Sequence, residues 1–217
     1  MGSDSPNKEA RHDGRYNENR PFAGIAVCGF MIRKGGEGMA ASRGGSGRRA
    51  ILVSACLLGH PVTYTGDDNF VDDPRLRRWL AEGRVIAVCP EVAGGLSTPR
   101  PPAEIRGDRV VTVDGRDVTE AFQKGAEAAL ALARHFDVAL ALLKQSSPSC
   151  GSRRIYDGTF SGRKIPGEGV TARRLREAGF PVFGEDELDR AEAALRAAEG
   201  PSANGPSDAE PEAPRGG

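Results

Sequence analysis

The chain carries no net charge: its 30 Lys and Arg residues balance 30 Asp and Glu over 217 residues. That balance removes the electrostatic basis for stable binding to long nucleic acid, although a local basic patch still suffices for a nucleotide. No run approaches the roughly 18–20 consecutive apolar residues of a membrane-spanning helix. The opening Met-Gly-Ser-Asp-Ser-Pro-Asn-Lys-Glu lacks the charged-then-apolar order of a secretory signal. Both absences point to a cytoplasmic protein, whose thiols stay reduced. Apolar residues are scarce as well, at 38%, whereas 29 glycines and 15 prolines form no collagen-like period. The dense apolar runs in the middle of the chain exclude a wholly disordered protein. The composition therefore describes a compact core with long loops and loose ends.

Residues 1–48 are rich in Gly, Arg and Asn and hold one short apolar patch, Phe22 to Ile32, too small to bury itself. They read as a disordered leader, and Met39 is a natural alternative start. Residues 200–217 read as a disordered tail. Between them, 49–199 form a single domain in which apolar runs alternate with helical segments. Ile51–Ala55, Val85–Val88, Val138–Leu143 and Pro181–Phe183 are buried-strand candidates. Asp73 before Pro74 opens a helix that Gly83 closes. Asp117 with Glu120 resembles a capping box for a helix running to about His135, with Phe122, Ala126, Ala129, Leu130 and Ala133 on one face. Val110–Val113 before Asp114-Gly115 suggests a small hairpin. Thr171 caps a short helix ending at Gly179, and a last helix spans Glu185–Glu199. Strand–helix alternation with continuous apolar strands predicts an α/β, three-layer fold with a central, mostly parallel sheet. Such sheets bind ligands beyond the carboxyl ends of their strands.

Of four cysteines, Cys28 lies in the leader, whereas Cys56, Cys89 and Cys150 each follow a predicted strand. Their wide separations match no zinc-finger spacing and no Cys-x-x-Cys redox motif. The recurring order of strand, then cysteine, is more informative, because neighbouring strands would bring three thiols to one sheet edge. Each cysteine read alone is equally well a small buried hydrophobe. Against that, Cys89-Pro90-Glu91 and Ser147-Pro148-Ser149-Cys150-Gly151 describe shaped loops rather than core strands. Three thiolates without a fourth cysteine also suit a metal or cluster with one open coordination position.

Five ordered blocks complete the pattern: Val53-Ser54-Ala55-Cys56-Leu57-Leu58-Gly59; Cys89 to Ile105; Ser147 to Gly151; Ile155-Tyr156-Asp157-Gly158-Thr159-Phe160; and Gly167 to Ala172. Over about residues 50–187 the chain resembles the thiouracil desulfurase family. The resemblance implies a 4Fe-4S cluster held by Cys56, Cys89 and Cys150, with the remaining iron free to take the sulfur of a thiolated nucleobase. Water then replaces that sulfur at the ring carbon without net redox change. The partner it implies is a small thiolated nucleobase, nucleoside or nucleotide. Where the family is expected to carry Arg-Tyr-Asp-Gly, this chain has Thr63-Tyr64-Thr65-Gly66, which removes both charges.

The chemistry assigns further roles. Thiocarbonyl sulfur is soft and iron is thiophilic, so attack by water needs chiefly a proton-managing group. Glu91, two residues after a ligand cysteine, is the candidate acid/base; its alternative is a loop ion pair or a helix-cap carboxylate. Ser147 and Ser149 can donate to the substrate ring, or simply cap turns. Arg100, between two prolines, is either a contact for an anion or the ring, or the partner of Glu104. His60 reads as a solvated loop histidine, and Asp67-Asp68 with Asp72-Asp73 as ordinary loop and capping acids. Two other functions compete: a zinc- or thiol-dependent hydrolase using Cys56 or Cys150, and a non-catalytic cluster-bearing sulfur carrier or sensor. The hydrolase lacks an obvious histidine to activate a thiol.

Overall fold

The computed structural model describes residues 48–200, so the leader with Cys28, the candidate start at Met39 and the tail after Gly200 lie outside the described residues. In chain order, the elements are β1 (Ile51–Ser54), a 3-10 turn (Ala55–Leu58), α1 (Pro74–Ala81), β2 (Val85–Val88) and α2 (Pro90–Ala93). Next come β3 (Ala103–Arg106), β4 (Arg109–Thr112), α3 (Thr119–His135) and β5 (Leu140–Leu143). The last are β6 (Arg154–Tyr156), β7 (Lys164–Pro166), α4 (Val170–Glu177), β8 (Val182–Gly184) and α5 (Leu188–Glu199).

The central sheet has the order β2-β1-β5-β8 and every pairing in it is parallel. Apart from Ser54 at the end of β1, its strands carry no polar side chain, because helices cover both faces. Alternation along β1 sorts the two cores: Ile51 and Val53 face α1 and α5, with Leu76, Trp79, Leu188, Ala191 and Leu195. Leu52 faces the opposite layer, with Ala129, Leu130 and Ala133 of α3 and Ala172 and Leu175 of α4. This is the three-layer α/β fold that the strand pattern predicts. The chain first adds β2 on one side of β1 and later adds β5 on the other, so the order reverses between β1 and β5. Crevices at such reversals are where α/β sheets bind ligands.

Two antiparallel hairpins, β3–β4 and β6–β7, stand outside the sheet. The first turns at Gly107, and the chain turns again at Asp114-Gly115 as expected: Val111 bridges Asp117 antiparallel, the Thr112 N–H donates to the Arg116 carbonyl and the Gly115 N–H to the Thr112 carbonyl, both at 2.9 Å. Asp73 caps α1 as expected, its carboxylate accepting from the Arg75 N–H at 2.8 Å. Two capping expectations fail. Asp117 accepts from the Thr119 N–H at 2.9 Å ahead of the helix, while Glu120 pairs with Lys124 (2.7 Å) rather than reaching back. Thr171 is inside α4, fully buried, because its hydroxyl is taken by Ser149 at 2.8 Å.

Small residues decide how α2 docks. Pro90, opening α2, lies against Gly125 of α3 so closely that a methyl there would run into the Pro90 carbonyl oxygen; Gly94 meets the Ala121 carbonyl in the same way. Each glycine is thus required by a helix-to-backbone approach. We expect Gly125→Ala to destabilise the protein by about 1–3 kcal/mol, the usual cost of overpacking, despite the better helix propensity of alanine. Urea denaturation of the two proteins measures this, and an unchanged midpoint would show that α2 yields freely.

Candidate functional site

A cavity of about 810 Å³ opens beyond the carboxyl ends of β1, β2 and β5. Cys56 reaches it from the 3-10 turn after β1, Cys89 from the junction of β2 and α2, and Cys150 from the Ser-Pro-Ser-Cys-Gly turn after β5. The turn carrying Cys150 is closed by the Gly151 N–H on the Ser147 carbonyl (2.9 Å), and the Gly169 N–H on the Gly151 carbonyl (2.8 Å) ties it to α4. The two hairpins build the outer wall. Glu104 of β3 accepts from the Phe160 N–H at 3.0 Å, and the Arg106 guanidinium lies 5.1 Å from the Phe160 ring centroid.

Burial dominates the chemistry of the thiols. It pushes Cys56 up to about 12 and raises Cys150 and Cys89 as well; repulsion from neighbouring sulfurs adds to the rise at Cys56 and Cys150, and from Glu91 at Cys89. Free thiols in this setting stay protonated near neutral pH and are poor nucleophiles. A bound cation reverses the balance, since coordination deprotonates a thiol outright. Among the described residues, no three His, Cys, Asp or Glu side chains are grouped as ligands of one metal ion. The sulfurs share a cavity and each other's field without the crowding around a single ion, where sulfurs ~2.3 Å from the metal would nearly touch. Soft, buried donors spread around an open space suit a polynuclear thiophilic centre with a coordination position to spare.

Glu91 lies in the first turn of α2 and lines the same cavity. Its Oε2 accepts from Arg100 Nε at 2.8 Å, and Arg100 Nη2 lies 2.8 Å from the same oxygen in the ion pair. Arg100 also donates to the carbonyls of Val62 (3.0 Å), Ser97 (3.1 Å) and Thr63 (3.4 Å) and to Thr98 Oγ1 (3.1 Å). Its side chain is 7% exposed and its donors are spent within the protein, so it anchors Glu91 and the loop after Cys56. The alternative pairing with Glu104 does not form.

The other oxygen of Glu91 accepts from Ser147 Oγ at 3.3 Å. That hydroxyl in turn accepts the N–H groups of Ser149 (3.0 Å) and Cys150 (3.1 Å), which turns its single proton toward the carboxylate. Ser149 takes another direction: fully buried and bonded to Thr171, it is outside the cavity lining and fixes the Cys150 loop on α4. His60 is buried rather than solvated, its Nε2 has no partner, and it does not line the cavity. Thr63 and Thr65 bond each other at 2.9 Å, so the neutral pair closes its own turn where charges are expected in the family. Sequence reasoning passed over Ser54, Asn69 and Lys144, which also line the cavity. For Ser54 and Lys144 the available signal was their place at strand ends; Asn69 had none.

Comparison with known proteins agrees with this geometry. The sequence model of a family described as 2-thiouracil desulfurase matches residues 51–187. An uncharacterized protein of Bacillus subtilis (strain 168), YbbK, is 44% identical over 149 residues, spanning 64% of this chain and 97% of that protein. The solved structure of a 4Fe-4S-dependent thiouracil desulfidase, TudS, is similar with a TM-score of 0.68 and 53% identity, covering 68% of this chain and 98% of that one.

The Glu91–Arg100 pair is mostly buried, so removing one partner should strand a charge. Arg100→Met is expected to cost about 3 kcal/mol in chemical denaturation. Adding Glu91→Leu should recover part of that loss; a double variant no more stable than Arg100→Met would show that lost carbonyl contacts, not charge, set the cost.

Proposed function

The chain belongs to the 2-thiouracil desulfurase family, and from that premise we propose that it is a desulfidase. Its substrate is a thiolated pyrimidine, thiouracil or a related nucleobase, nucleoside or nucleotide. The thiocarbonyl carbon exchanges its sulfur for the oxygen of water, giving a carbonyl and hydrogen sulfide with no net oxidation or reduction. The observation that carries this reading is three thiols, Cys150 buried and Cys56 and Cys89 partly buried, sharing one cavity with the Glu91–Arg100 pair. Cys56, Cys89 and Cys150 would hold a 4Fe-4S cluster, which supplies a thiophilic Lewis acid when bound.

The chain's own groups then have separable tasks. Glu91 Oε1, the oxygen facing Ser147, holds the proton that water gives up and returns it to the departing sulfur or the new carbonyl. Arg100 keeps that carboxylate in place through Oε2, leaving Oε1 for proton traffic. Ser147 Oγ, whose lone pairs are occupied by two backbone N–H groups, is a donor that serves either Glu91 or a ring heteroatom. Ser149 contributes indirectly, by fixing the loop that carries Cys150. Residues of both hairpins, Ala103 and Glu104 of the first and Tyr156 and Lys164 of the second, line the cavity.

The thiol-hydrolase alternative loses support because burial keeps the thiols protonated and, among the described residues, no histidine lines the cavity. No described helix is long and apolar enough to cross a membrane; a cytoplasmic setting, where thiols stay reduced, suits these ligands. The Bacillus subtilis relative makes a bacterial setting consistent.

Anaerobic reconstitution with iron and sulfide, followed by a thiouracil turnover assay, tests the reading. Brown, iron-loaded protein that turns over the substrate is expected; brown protein without turnover on any thiopyrimidine would leave a sulfur carrier or sensor. Replacing Cys56, Cys89 or Cys150 by Ser should each abolish cluster retention, whereas Cys28→Ser should keep it. A colourless Cys28→Ser protein would overturn the ligand assignment.

Glu91→Gln separates catalysis from support. The amide is nearly isosteric yet holds no proton usefully near neutral pH, so iron content should be retained while turnover falls about 10²–10⁴-fold. Iron loss with early melting would instead make Glu91 a brace for the Cys89 loop. Full iron with wild-type turnover would reject both roles.

A further inference from the structure

Three aromatic side chains line the cavity: Tyr64, Tyr156 and Phe160. Two of them have a cation against the ring, Lys164 Nζ at 5.6 Å from the Tyr156 centroid and the Arg106 guanidinium at 5.1 Å from that of Phe160. Among the described residues, the Tyr64 side chain has no such cation, no ring neighbour and no hydrogen bond. It is 50% exposed, and the other large apolar side chain left as open among the described residues, Val113, lines the same cavity. Apolar exposure gathered at one opening marks a contact surface. A loose backbone is not its cause. Arg100 holds three consecutive carbonyls: Nη2 donates to Val62 (3.0 Å), Nη1 to Thr63 (3.4 Å) and the main-chain N–H to Tyr64 (2.9 Å). The same guanidinium binds Glu91, and Cys89 Sγ lies 3.7 Å from the Val62 carbonyl. Thr63 and Thr65 spend their hydroxyls on each other. The Tyr64 ring is therefore fixed at its root and uncovered on its surface, on a segment tied to both the carboxylate and one of the thiols.

We propose that Tyr64 is a substrate-binding residue whose ring stacks on the flat face of the thiolated pyrimidine, with Val113 extending the apolar rim. The inference rests on the desulfidase reading above and adds what is recognised besides the thiocarbonyl sulfur: an aromatic ring face. A thiopyrimidine is planar and conjugated, and a base stacks on an aromatic side chain whatever its ring substituents. Tyr156 and Phe160 each have a face taken by a cation, whereas Tyr64 offers its ring from a turn of neutral side chains, which suits a neutral base.

The test measures KM and kcat for thiouracil, and the Kd of uracil by calorimetry, on anaerobically reconstituted full-length wild-type protein, Tyr64→Ala and Tyr64→Phe. Iron content is measured on the same preparations. Uracil has no sulfur, so its affinity reads the ring contact without any bond to iron. In Tyr64→Ala we expect equal iron, KM and the uracil Kd each raised about 5–140-fold, and a much smaller change in kcat. That range corresponds to the ~1–3 kcal/mol of one stacked base at about 1.4 kcal/mol per factor of ten. Tyr64→Phe, which keeps the ring, should recover both constants. Iron-loaded Tyr64→Ala with wild-type KM and uracil Kd would overturn the proposal while leaving the proposed function intact. Tyr64→Phe as impaired as Tyr64→Ala would also overturn it, since the hydroxyl and not the ring face would then be the contact. Should Tyr64→Ala lose its iron, Tyr64→Leu, which keeps apolar bulk without a π face, decides by the same measurements. Iron-loaded wild-type protein that turns over no thiopyrimidine would overturn the proposed function and this inference together.

Discussion

Parallel pairing of β1 with β2 on one side and β5 on the other is the constraint from which the cavity follows. Ile51–Ser54 run in register with Val85–Val88, and Ile51–Val53 with Leu140–Leu142, so all three strands reach the same sheet edge. Each then leaves by a different device: a 3-10 turn, a proline-opened helix, and a turn closed on Ser147. Cysteine occupies each exit. A one-residue slip of β1 would exchange its two buried faces, so the cores on either side hold the register and thereby the approach of the thiols.

Charge at the cavity is handled by pairing rather than by exposure. Burial opposes ionisation of Cys56, Cys89 and Cys150, and Glu91 and Glu185 add negative potential nearby. Arg100 answers the first acid and Lys144 the second, the latter through an ion pair with Glu185 and a bond to the Gln145 carbonyl at 3.2 Å. Such a site is poorly suited to thiolate nucleophiles and well suited to a cationic centre that removes the protons on binding. The docking of α2 belongs to the same economy of space: Gly94 and Gly125 allow the helix carrying Glu91 to rest directly on α3.

Local rules in the chain were reliable where the partner is adjacent in sequence. Asp73 caps α1 because its acceptor meets the Arg75 N–H two residues on. They misled where a distant residue competes: Thr171 gives its hydroxyl to Ser149, and Arg100 turns to Glu91 rather than Glu104. The β6–β7 hairpin, short and partly exposed, had too little apolar alternation to be read in advance.

Periodicity and residue type in the sequence alone determined the parallel three-layer fold and the three cysteines at strand ends, since buried strands and their exits leave a local imprint. The ordered motif blocks determined the family. Which groups face one another across the cavity was decided only in three dimensions. Glu91 meets Arg100 and Ser147, and Ser149 meets Thr171, because separate strands and loops converge, and a side chain's direction depends on packing that no local pattern encodes.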